Sequence, residues 1–118
     1  MPTFVPFITA EDGDDLIVSF GLGQYAQTSL TLLRTPKYEH LLEAKDRGVS
    51  VATADSKGHH RESLESVEWN NKTLKITSSH DVYELDICAV ETEEILEAKR
   101  ILKKMNFDKK FVFMIEEA

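Results

Sequence analysis

The chain has 118 residues, enough for one domain with a core of its own. It carries 14 basic against 21 acidic residues, a formal net charge of −7, so phosphate backbones are repelled and a basic partner is expected rather than nucleic acid. Cys88 is its single cysteine, which excludes an internal disulfide and a cysteine-rich zinc site.

"MPTFVPFITAEDGDD" has no basic flank and no long apolar run, so it does not read as a signal peptide. No apolar stretch approaches the roughly 20 residues that span a bilayer. A single domain over 1–118, working in the cytoplasm and away from membranes, is the expectation. Within the opening segment, "TFVPFI" reads as an edge strand, because Pro6 lacks an amide hydrogen. "EDGDD" is a turn centred on Gly13, "LIVSF" a second strand and "GLGQ" another turn. "YAQTSLTLLRT" alternates, with Leu30 and Leu32 opposed to Ser29, Thr31 and Leu33, and pairs with the preceding strand as a hairpin.

"TPKYEHLLEAKDRG" predicts a short helix near 36–47, capped by Thr35 and opened by Pro36, with Tyr38, Leu41, Leu42 and Lys45 on its packed side. Gly48 closes it, and "VSVATA" is the next strand. "ESLESVEW" and "KTLKITS" flank Asn70 and Asn71, which predicts a hairpin with that pair as its turn and with Val67 opposite Leu74. Val67, Trp69, Leu74 and Ile76 then face the core. Glu62, Ser66, Glu68, Thr73, Lys75 and Thr77 face water. "DVYELDICA" continues the meander with Tyr83, Leu85, Ile87 and Ala89 inward and Glu84, Asp86 and Cys88 outward.

"TEEILEAKRILKKMN" predicts the longest helix, near 93–105. Thr92 is its expected cap, its charges suit the helix dipole, and Ile95, Ala98, Ile101, Leu102 and Met105 form a buried stripe before a left-handed Asn106. "KKFVFMIEE" ends the sequence as a strand. The fold class is α+β: a bent or two-layer antiparallel sheet with the long helix packed on it.

Candidate chemistry is sparse. "DSKGHHRE" sets His59 and His60 beside Asp55, but adjacent side chains on an extended segment diverge and a zinc site needs three or four ligands. The loop reads as a polar connection able to contact a partner. "EDGDD" lacks the EF-hand spacing, and "GLG" lacks the third glycine of a dinucleotide loop. Cys88 has no cationic neighbour in sequence to lower its thiol pKa. No metal, cofactor or catalytic residue is expected. The remaining signal is acidic: Glu62, Glu68, Glu84 and Asp86 fall on one predicted sheet face, a docking surface for a basic protein.

"SLTLLRT", "DRGVSVATAD", "LESVEWNNKTLKIT", "YELDI" and "EEILEAKRILKKM" together resemble a family of bacterial polymorphic-toxin immunity proteins, immunity protein family ten. The resemblance runs from about Asp15 to Met105 and is one of element pattern. It implies a small cytoplasmic α+β protein that binds and neutralises a toxin, without catalysis or cofactor. The alternative is a small-ligand-binding protein or enzyme with a cleft near Asp55, His59 and His60. The sequence leaves the partner's identity and the oligomeric state open.

Overall fold

Strands form wherever apolar side chains alternate, and the computed structural model describes residues 2–43, 47–53 and 62–115. The strands are β1 (Thr3–Phe4), β2 (Ile8–Asp12), β3 (Leu16–Leu22), β4 (Thr28–Arg34), β5 (Ser50–Thr53), β6 (Glu62–Trp69), β7 (Thr73–Ser78), β8 (Val82–Asp86) and β9 (Val112–Ile115). A 3-10 turn, Pro36–Leu41, follows β4, and helix α1 spans Thr92–Met105.

The sheet order is β1-β8-β7-β6-β5-β4-β3-β2, with β9 beside β6. The α+β class holds, but the sheet is mixed rather than antiparallel, since β1 runs parallel to β8 and β9 parallel to β6. Pro6 breaks the N-terminal segment into two strands with different partners. β1 pairs with β8, and Val5 N–H reaches Asp86 O at 2.9 Å, while β2 pairs with β3. Gly23 N–H also donates to Phe4 O at 2.8 Å and Gly21 N–H to Phe7 O at 3.2 Å. The ladder therefore starts and ends on one short segment. At Gly21 a Cβ would lie 2.9 Å from Cζ at the tip of the Phe7 ring.

Alternation along each strand places Val18, Phe20, Leu30, Leu32, Val67, Trp69, Leu74 and Ile76 in the core. Helix α1 packs on β2 and β3 and adds Ala98, Ile101, Leu102 and Met105. Full burial of each Leu, Ile or Phe contributes about 1.5–3 kcal/mol. Glu93 and Glu94 in its first turn and Lys103 and Lys104 in its last complement the helix dipole. Its cap is Glu91 rather than Thr92, and Asn106 at its end has φ −95 instead of a left-handed conformation. The left-handed residue is Lys109, with φ 58, while Asn106 ties the chain by donating to Phe111 O at 2.9 Å and accepting its N–H at 3.1 Å.

Four further expectations are corrected. Of the helix expected near 36–47, the described residues form only the 3-10 turn Pro36–Leu41, whose packed residue is Glu39, whereas Tyr38, Leu41 and Leu42 are exposed. Lys45 lies outside the described residues. Thr35 makes no capping bond, because its hydroxyl donates to Asp15 at 2.6 Å. The β6–β7 turn sits one residue later than expected: Trp69 pairs with Leu74 and Val67 with Ile76. Asn70 N–H donates to Thr73 O at 2.9 Å, and the Asn70 side chain accepts from Lys72 N–H at 3.3 Å. Ala89, expected inward, is exposed.

Glu62 is the largest departure. A bulge between Leu64 and Ser66 adds a residue to β6 and reverses which face even-numbered side chains occupy. Glu62 is thereby buried, accepting hydrogen bonds from Ser78 Oγ at 2.7 Å and Tyr83 OH at 2.8 Å. Burial and the adjacent Glu62 carboxylate push the Tyr83 phenol well above its usual range.

Candidate functional site

Past the bulge, the alternation of β6 to β9 builds an outward face in cross-strand rows. Met114 stands beside Glu68, Glu68 beside Lys75, and Lys75 beside Glu84. The neighbouring row is Val112, Ser66, Thr77 and Val82. On the other side Thr73 stands beside Asp86. Glu68, Glu84 and Asp86 thus share one face as expected, and Glu62 does not join them. Sequence reasoning missed the apolar members: Val112, Met114 and Val82 are 55%, 44% and 51% exposed. Alternation in β8 and β9 carries that signal, but only the pairing of β9 with β6 brings it beside the carboxylates.

A cleft of about 650 Å³ opens on this face at the strand ends, lined by Glu68, Asn70, Thr73, Lys75, Glu84, Met114 and Ile115, with Pro2, Trp69 and Leu74. Lys75 Nζ lies 4.0 Å from Glu68 Oε2. Such an exposed pair is worth about 0–1 kcal/mol, so a cation from a partner can displace Lys75 at little cost. Beneath the cleft Trp69 is buried, with Lys99 Nζ 5.3 Å from its ring centroid. Among the described residues its Nε1 finds no acceptor.

Asp86 is held below the ordinary carboxylate range by hydrogen bonds from Cys88, whose N–H approaches at 3.0 Å. A side-chain hydrogen bond with Asp86, and burial after it, push the Cys88 thiol pKa up.

Asp55, His59 and His60 lie outside the described residues. His40 sits exposed on the 3-10 turn, and His80 Nδ1 is 2.8 Å from Ser79 Oγ. Among the described residues no group of three His, Cys, Asp or Glu side chains could hold a metal. The aspartates of "EDGDD" turn to separate partners: Asp12 to Lys104 at 2.7 Å and Arg100 at 3.2 Å, Asp14 to Lys37 at 3.3 Å, and Asp15 to Thr35. Among the described residues no helix is long and apolar enough to cross a membrane.

A second polar constellation was not anticipated. Arg34 ends β4 on the same face as Leu30 and Leu32, with its side chain fully buried. Its Nε and Nη2 donate to Glu39 at 2.7 and 2.8 Å, and Nη1 and Nη2 donate to Asp108, both at 2.8 Å. Nη1 also donates to Met105 O at 2.6 Å, and the Phe107 ring lies 4.3 Å from Cζ. Burial works against the charge, but the bonds to Asp108 and Glu39 outweigh it and raise the guanidinium's proton affinity. Arg34 in turn holds both carboxylates below their ordinary range. This cluster ties β4, the 3-10 turn and the end of α1 together and leaves no donor for a ligand.

The chain matches no family model, no curated protein and no solved structure.

Proposed function

We propose that this chain is a protein-binding inhibitor of the immunity-protein kind, which takes a basic toxin domain on the outward face of β6 to β9. The observation that carries the reading is the row of Glu68 and Glu84 flanked by exposed Val82, Val112 and Met114. Carboxylates beside solvent-facing apolar side chains suit a protein partner: the charges steer the encounter and the apolar strip contributes contact area. The sequence resemblance to toxin immunity proteins points the same way. Binding in the cytoplasm, without catalysis or cofactor, is all this function requires.

The test uses the full chain as bait in an extract of its host, followed by association rates with the captured domain. Wild type should associate with a basic domain at a rate that falls with salt. Reversing Glu68 and Glu84 to Lys should slow association about 10-fold or more at low salt and leave the fold intact. Unchanged low-salt rates would show that docking occurs elsewhere.

A further inference from the structure

The cleft on the outward face of β6 to β9 carries the inference, which rests on the reading that this face docks a basic protein. Its volume of about 650 Å³ falls within the roughly 300–1,000 Å³ of ligand pockets. Three of its features lack a counterpart. Lys75 reaches Glu68 at 4.0 Å, whereas Glu84, on the other side of Lys75, has no cation at ion-pair distance among the described residues. Trp69 lines the cleft while only 1% exposed, and its Nε1–H has no acceptor among the described residues. Met114 and Ile115 leave apolar surface uncovered, at 44% and 37% exposure.

These features define an occupant by its chemistry. An anion would meet Glu68 and Glu84, and a purely apolar group would leave Glu84 and Trp69 Nε1 unanswered. A bare metal ion would find two carboxylates among the described lining residues, too few to hold it. What fits is a cation on an apolar stem with a carbonyl nearby, and a basic residue within a peptide carries all three. Arginine suits the rim better than lysine. Glu68 and Glu84 stand on either side of Lys75 in one cross-strand row, and a planar guanidinium with five donors can serve two carboxylates at once.

We infer that the cleft is the anchor site for one arginine residue of the partner. Its guanidinium takes Glu84 and Glu68 in place of Lys75, its stem lies along Met114 and Ile115, and its backbone carbonyl accepts from Trp69 Nε1–H. Lys75 is then an internal competitor that occupies Glu68 until the arginine arrives. Its pair with Glu68 is exposed and long, so displacement costs little. Arginine is among the residue types that most often dominate interface affinity, and it does so from pockets of this kind.

Trp69 is the chain's single tryptophan, so its indole N–H resonance reports occupancy directly. Titrating the full chain with N-acetylarginine N-methylamide should shift that resonance saturably, with a dissociation constant on the order of 1 mM for so small a ligand. The citrulline analogue, of the same shape but neutral, should bind about 10-fold or more weakly. Glu84→Gln should weaken binding of the arginine probe, whereas Lys75→Ala should tighten it about 2–5-fold by removing the competitor. Circular dichroism verifies that both variants are folded. The inference is overturned by the absence of a saturable shift, by equal binding of the two probes, by a Glu84→Gln variant that binds as wild type does, or by a Lys75→Ala variant that binds no tighter. The two readings fail separately. If reversing Glu68 and Glu84 slows association with a basic domain but the probe leaves the indole resonance unmoved, the docking face stands and the anchor falls. If the probe binds while association ignores the reversal, the arginine site stands and the docking face falls.

Discussion

Replacing Arg34 by Ala gives the sharpest test of how the fold tolerates a charge in its core. The wild-type side chain is fully buried and forked between two carboxylates, Glu39 and Asp108, whose own side chains are 11% and 31% exposed. Removing the cation leaves Glu39 buried without its partner and opens a cavity beside Met105. Breaking a buried pair from one side costs about 3–5 kcal/mol, a large share of an ordinary stability of about 5–15 kcal/mol. The pH dependence gives a second signature. In wild type both carboxylates have lowered folded-state pKa values. Their contribution is therefore fully present above the unfolded carboxylate range near about pH 4 and is lost as pH falls through the folded values. In Arg34→Ala, burial without a cation raises the Glu39 pKa, so the sign at that site reverses: the variant's deficit shrinks as pH falls from neutrality towards about 4. Urea melts at a series of pH values measure both effects. A loss under about 1 kcal/mol with an unchanged pH profile would refute the reasoning, since it would mean that the cluster is open to water. Replacing Arg34 and Glu39 together by apolar residues should recover part of the loss, because the stranded carboxylate is then gone.

Trp69→Ala should cost about 3–5 kcal/mol in denaturant melts, because the side chain is 1% exposed and its removal leaves a large cavity. Glu62→Ala should cost about 1–3 kcal/mol by stranding the Ser78 and Tyr83 hydroxyls. It should also bring the Tyr83 phenol back towards its ordinary range, readable as an ultraviolet titration shifted to lower pH.

The sequence's legibility followed from the period of the strand. Side chains alternate with period two, so assigning a face requires only parity. The β6–β7 turn illustrates how forgiving parity is: moving its centre by one residue shifts each cross-strand partner by two, and Val67, Trp69, Leu74 and Ile76 stay on the core face. The bulge before Ser66 illustrates the reverse, since one extra residue inverted every position upstream and carried Glu62 from the expected docking face into the core. Nothing local in "ESLESVEW" marks that insertion. The apolar half of the candidate site was hidden for a different reason, because β9 meets β6 from far along the chain and the pairing depends on where α1 delivers Phe111. Arg34 was not singled out from the sequence, although its position carried a usable signal. Alternation placed it with Leu30 and Leu32, and a buried guanidinium needs acceptors for its donors. That demand turns the helix expected near 36–47 inside out. With Glu39 drawn inward to Arg34, Tyr38 and Leu41 are left facing solvent, because a single short turn cannot bury both the ion pair and an apolar stripe on opposite sides.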